Sequence, residues 1–247
     1  MDQNITELTR FETHFRKALQ ADVMTADRVQ SVISDTVPPR RYGLLLLCFT
    51  EALSESSIES SPIDAAVAIE FSLLHQYLHM IPQTDDERSY SIKASVYAED
   101  ADAAILDGDF LQSCAFTRLS AGFENSAMTR RCYKILAQAS VKCYERIHND
   151  STAAVTAPLL GSAARIGSVI GGVDQTTAVE IDQLTRSIAG AVPVQLPGEN
   201  NVDQSSTPPV SEIQSTIKKL DTVVTNSVST TQPLEPLLVD IFLRGSS

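Results

Sequence analysis

The sequence is short of the features that most directly announce a chemistry. Its four cysteines, Cys48, Cys114, Cys132 and Cys143, are scattered, with no CxxC pair and no clustered histidines. Neither a zinc site nor a redox pair therefore has spacing to support it. Cys48 falls inside the apolar run GLLLLCF, where a thiol is expected to be buried. No run of about 18 or more apolar residues occurs, so no membrane span is expected. The opening residues, MDQNITELTRFE, lack the basic-then-apolar order of a signal peptide, and a cytoplasmic address is the expectation. Lysine is scarce: six residues against thirteen arginines, so that 31 acids leave a formal net charge of −12. A field of that sign repels phosphate backbones, which argues against nucleic acid as a partner. The same acidic, lysine-poor composition would suit a host living in brine.

Alternating strand patterns are nearly absent, and helical periodicity fills the space they leave. Ser61-Pro62 offers an N-cap and a first-turn proline, after which Ile63, Val67, Phe71, Leu74 and Leu78 recur at steps of three and four. The pattern over 91–119 sets Ala101, Ala104, Gly108, Leu111 and Ala115 on one face, small enough for another helix to approach closely. Further helical patterns cover 127–147, 152–171 and 174–192, broken near His148-Asn149-Asp150 and at Gly171-Gly172. The segment LPGENNVDQSSTPP, at 196–209, is rich in Pro, Gly, Asn and Ser. It predicts a mobile loop at about 197–209. Two helices follow, the last with Leu234, Leu237, Leu238 and Ile241 on its apolar face. The reading is a single all-α domain over residues 1–247, with roughly ten helices.

Residues 68–84 read AIEFSLLHQYLHMIPQT, and AAILDGDFL follows at 103–111. This frame resembles the trans-isoprenyl diphosphate synthase (polyprenyl synthetase) family. There, a helix of the form AxE…LxH runs directly into the aspartate-rich motif DDxxD, and the helix after it carries AILAGD. Glu70, His79 and the 104–109 block stand at matching positions. VPPRRYGLLLLCFTEAL resembles the family's GGKRLRPLLLLLAAEAL. The 156–192 segment is similar to the stretch from KTAxL to GxxLGxAFQ, and LEPLLVDIFLRG is similar to the closing helix. The resemblance implies an isoprenoid-synthase-type helical bundle around a central cavity.

In that family, two facing aspartate-rich helices hold magnesium on an allylic diphosphate, because Mg²⁺ favours oxygen ligands and stabilises the leaving group. Here the first motif falls on Met80, Ile81, Pro82, Gln83 and Thr84. The second falls on V-P-V-Q-L-P-G-E-N, with Pro193, Leu196 and Pro197 where Gln and the Asp pair belong. In the basic element Arg40 is kept, while Pro39 and Tyr42 replace a lysine and an arginine. Leu73 replaces a histidine, and Val155 stands for the lysine of KTA. The resemblance therefore implies a degenerate member lacking both motifs, with no catalytic residue assigned.

The expected function is a catalytically silent, non-catalytic or regulatory subunit in isoprenoid biosynthesis. It would form a homodimer or a heterodimer with an intact synthase, and the small-residue face at 101–115 would be its contact surface. Arg40, Arg41 and Arg88 are the candidate substrate-binding residues. No cofactor is expected unless the chain is an active prenyltransferase using displaced acids. In that case Asp85 and Asp86 are the weak metal candidates, with Asp100, Asp102, Asp107 and Asp109 behind them. Beside Asp107, the Gly108-Asp109 pair matches the family's Gly-Asp, and the resemblance implies that Asp109 is buried and paired. A third reading is a prenyl-lipid binding protein. Glu70 and His79, nine residues apart, are expected to be separate polar groups of the core or rim rather than an acid–base pair.

Overall fold

The computed structural model describes residues 2–23, 27–30, 40–54, 62–80, 97, 101–148, 156–191, 210–227, 234–239 and 242. Among them nine helices of five residues or more occur and no strand. In chain order they are α1 (Asp2–Asp22), α2 (Arg41–Leu53), α3 (Pro62–Met80), α4 (Ala101–Ala121), α5 (Ser126–His148), α6 (Ala157–Ile170), α7 (Gln175–Ala191), α8 (Val210–Ser227) and α9 (Glu235–Val239). The all-α expectation holds. Asp85, Asp86, Arg88, Pro39, Val155, Asp100 and the 197–209 segment lie outside the described residues, as do Pro193, Leu196 and Pro197.

Two helices are apolar nearly all round, and they form the centre, as helices without a polar face must. In α3, Ala65, Ala66, Val67, Ala68, Ile69 and Phe71 are fully buried. In α6, every residue but Arg165 is buried. The amphipathic helices then wrap around this pair: α4 and α2 lie against α3, α2 and α7 against α6, and α8 against α7. Phe15 of α1 meets Phe71 of α3 edge to face, with ring centroids 5.6 Å apart.

Local signals in the sequence explain where helices stop and start. After Ile170, the Gly172 N–H donates to the Val169 carbonyl and the Val173 N–H to the Ser168 carbonyl, both at 3.2 Å. This pairing needs a left-handed residue at position 172, and Gly172 supplies it with φ of 94°. Two residues on, the Asp174 carboxylate accepts from the N–H groups of Thr176 and Thr177 and opens α7. Asn125 opens α5 in the same way, accepting from Ala127 and Met128. The N-terminus of α9 is capped from a distance, with Leu234 and Glu235 donating to Asp221 of α8.

The small-residue face expected to serve as a contact surface turns inward instead. Ala104, Leu111 and Ala115 are completely buried, and Gly108 is buried with them, against α3. The large apolar residues that α4 shows to solvent are Leu106 and Phe110. The correction is one of rotation: spacing predicted the close approach and assigned it to the wrong neighbour.

Where α2 crosses α6, a Cβ on Gly167 would run into the Leu46 carbonyl oxygen and lie 3.0 Å from the Phe49 Cβ. Helix propensity alone favours Gly167→Ala by up to about 1 kcal/mol. The obstacle is backbone, which cannot rotate aside, and overpacking of this kind costs about 1–3 kcal/mol. Gly167→Ala is therefore expected to lower the denaturant midpoint in equilibrium unfolding, whereas a rise would refute the tight crossing.

Candidate functional site

The polar residues of α3 leave the helix in two directions, as the sequence requires: nine residues at 100° each place Glu70 and His79 half a turn apart. Glu70 is 1% exposed and points to the start of α2, accepting the Gly43 N–H at 2.7 Å. No side chain of α2's own N-cap does this work, so a carboxylate from a neighbouring helix satisfies an orphan donor and meets the positive end of the dipole. Burial raises the pKa of Glu70, and Arg40 pulls it back.

Arg40 is not a surface arginine. It is 3% exposed, stacked 4.0 Å above the Phe15 ring, and donates from Nε to Glu12 at 3.2 Å. Its Nη1 stands 4.0 Å from Oε2 of Glu70. The guanidinium thus ties α1, α2 and α3 together. Arg41 is half-buried, and burial lowers its pKa. Among the described residues no carboxylate pairs with it in the way that Glu12 pairs with Arg40. The neighbouring Tyr42 is buried, donating to Thr156 at 2.7 Å.

The two acids flanking Gly108 have opposite duties. Asp107 is the buried one, at 6% exposure, and receives Arg28 through both nitrogens at 2.7 and 2.8 Å. The Tyr97 hydroxyl donates to it at 2.7 Å. Burial and the adjacent carboxylate push the Tyr97 phenol upward, so it remains a donor. A carboxylate committed to this fork is not free to hold an ion. Asp109, expected to be buried, is instead 61% exposed at its side chain and lies 2.9 Å from Nε2 of His79. Asp102 is exposed in the first turn of α4.

His75 completes a group that the sequence reading missed. It lies one turn before His79 on α3, with ring centroids 4.3 Å apart, and its Nδ1 is 3.9 Å from Asp109. The signal was present as H-x₃-H, the spacing that stacks two side chains on one helix face. His79 lies against α4 because residue 108 is glycine: a Cβ there would be 2.8 Å from Cδ2 of the ring. The expectation of no clustered histidines is thus corrected. Elsewhere, the thiols are quiet. Cys132 and Cys143 are fully buried, and burial pushes each up to about 12.

The donors at the end of α3 do not fit magnesium. Mg²⁺ demands oxygen ligands in an octahedron, and this end of the helix offers two imidazoles, one carboxylate and then Met80. No step of a magnesium-dependent reaction is assigned to these side chains.

His75 carries a pH consequence. Burial, helped by the neighbouring His79, lowers its pKa from the ordinary 6.5 to about 4, against weaker upward pulls from Gly108 and Asp109. In this window the unfolded chain binds a proton that the folded chain does not. The stability it supports is complete above pH 6.5 and lost as pH falls toward 4, by on the order of 3 kcal/mol at most. His75→Gln is expected to flatten the pH dependence of unfolding between those values, and an unchanged slope would count against a buried neutral imidazole.

No protein-family model matches the chain, and no curated protein does. Solved structures do match, over nearly the whole length. A decaprenyl diphosphate synthase from Rhodobacter capsulatus is similar at a TM-score of 0.65 and 13% identity, covering 99% of this chain and 98% of that one. A geranylgeranyl pyrophosphate synthetase from the archaeon Geoglobus acetivorans gives 0.68 and 14%, with 96% and 97% covered. The geranyl diphosphate synthase small subunit from Antirrhinum majus gives 0.67 and 13%, with 96% and 95% covered. At such identities the likeness speaks for the fold alone, and it agrees with the order of helices described above. The chain adopts the trans-isoprenyl diphosphate synthase-type fold.

Proposed function

We propose that this chain is an isoprenyl diphosphate synthase-like subunit that does not condense prenyl diphosphates by itself. In this reading it is a single cytoplasmic domain that acts by association, either with a second copy or with an intact synthase. The observation that carries the reading is the end of α3. The frame is retained, with Glu70 capping α2 and His79 seated on Gly108. The positions that follow His79 hold Met80, Ile81, Pro82, Gln83 and Thr84, none able to bear a negative charge. The one buried acid of α4 is committed to Arg28 and Tyr97. Unpaired charge in a desolvated site is costly, so neutral side chains give a metal–diphosphate cluster no electrostatic support.

Association finds support on α4 and α5. Leu106 is 68% exposed and Val141 57%, with Phe110 and Tyr133 also exposed on these two helices. On α4, Leu106 and Phe110 stand one turn apart on one exposed face, which suits a protein partner better than solvent. One of the solved structures of this fold is itself described as a small subunit. Arg41, half-buried and without a carboxylate partner among the described residues, is the proposed anion contact. Arg40 is the weaker candidate, since Glu12 and Glu70 engage it.

The test is a condensation assay with isopentenyl and allylic diphosphates plus magnesium, run on the purified chain alone and together with synthases carrying DDxxD. The chain alone is expected to form no longer prenyl diphosphate. With its partner it is expected to co-purify and to change the rate or the product length. Magnesium-dependent product formed in proportion to this chain, and abolished by Asp85→Ala with Asp86→Ala, would overturn the proposal in favour of an active enzyme with displaced acids.

A further inference from the structure

The end of α3 has lost hard oxygen ligands, and the side chains that meet there have their own coordination chemistry. His75 and His79 present their rings from one face of α3, and Asp109 reaches them across the helix pair from α4. One ligand atom from each of the three lies within 4.8 Å of the other two. We propose that His75, His79 and Asp109 form a binding site for a divalent first-row transition ion, of which Zn²⁺ is the chemically best matched.

Geometry and ligand type support this independently. Bonds of about 2.0–2.1 Å place the ligand atoms of a tetrahedral zinc about 3.3 Å apart. His79 Nε2 and Asp109 Oδ1 are now 2.9 Å apart, and His75 Nδ1 is 3.9 Å from the same oxygen. An ion placed between them needs ligand-atom shifts of about 1 Å, within the reach of side-chain rotation. Two imidazoles and one carboxylate are a set that zinc and iron accept and that magnesium and calcium do not favour. A buried histidine nitrogen without a partner is costly, and Nδ1 of His75 has none. Coordination would satisfy it. Gly108 sets the approach of His79 to α4, since a Cβ there would press on its ring.

Three protein ligands leave at least one position of the ion open, and the exposure of Asp109 opens that position to solvent. The site therefore belongs to the open kind rather than the sealed, four-ligand structural kind. The buried thiols do not take part: Cys132 and Cys143 are enclosed elsewhere in the core. The inference stands apart from the proposed function, since a zinc site at this position neither requires nor excludes prenyl transfer.

The experiment uses the full chain stripped with a chelator and titrated with Zn²⁺ by calorimetry, beside a parallel titration with Mg²⁺. Binding of one zinc per chain is expected, with no response to magnesium at the same site. Asp109→Asn is expected to weaken zinc by about tenfold or more, a loss at the scale seen even for outer-shell partners. His75→Ala with His79→Ala is expected to abolish it. Circular dichroism checks that each variant is folded. Should the double variant fail to fold, Asp109→Asn, altered at an exposed side chain, decides alone. Absence of zinc binding to the parent chain overturns the site. So does zinc binding that Asp109→Asn leaves unchanged, which would assign the ion to other donors such as the thiols.

Discussion

The contact between α3 and α4 depends on an atom that residue 108 does not have. A Cβ on Gly108 would press on the His79 ring and stand 3.4 Å from the carbonyl of His75. Without it, α4 settles close enough for Ala104, Leu111 and Ala115 to be fully enclosed. From that approach follow the placement of Asp109 beside His79 and the turning of Asp107 to the opposite side, toward Arg28. Asp107 and Asp109, about 200° apart on the helix, then face opposite ways.

The charge pattern has the same logic throughout the bundle. Several acid–base pairs join segments distant in sequence. Arg40 links Glu12 and Glu70, Arg28 holds Asp107, and Arg118 bridges Asp22 and Asp64. Near α6, Asp182 of α7 meets Arg186 at 2.6 Å and Arg165 at 3.7 Å. Removing one member of such a pair leaves an uncompensated charge, which is why these contacts fix the arrangement of helices even where they add little net stability. Among the described acids of α4, Asp107 is held by Arg28 while Asp102 and Asp109 are exposed.

Much of this was legible in the sequence. Helix existence was, because apolar spacing of three and four has only one regular solution, and the Gly-Gly-Val-Asp run marked one boundary to within a residue or two. The family-like frame was legible in the order of Glu70, His79 and the Ala104-to-Asp109 block. What sequence could not supply was rotation about each helix axis. The small-residue face was correct as a face and wrong as an external one. Arg40 read as a candidate substrate contact because nothing in 40–41 reveals that Phe15 and Glu12 come to engage it. Asp109, expected to be buried, is exposed, while Asp107 is the buried acid: the two lie about 200° apart on the helix, and the sequence does not say which of them meets Arg28. His75 was visible as H-x₃-H, but with His79 already assigned to the frame and Asp109 expected in the core, the third ligand was out of sight.

The central claim is that the positions following His79, from Met80 to Thr84, offer no carboxylate to hold magnesium on a diphosphate. It is tested most directly by equilibrium dialysis of a labelled allylic diphosphate against the purified chain, with and without magnesium. The account predicts that magnesium does not increase retention of the diphosphate, because positions 80–84 carry no carboxylate and, among the described residues, the buried acid of α4 is held by Arg28. Saturable retention of one diphosphate per chain that appears only with magnesium would contradict the account.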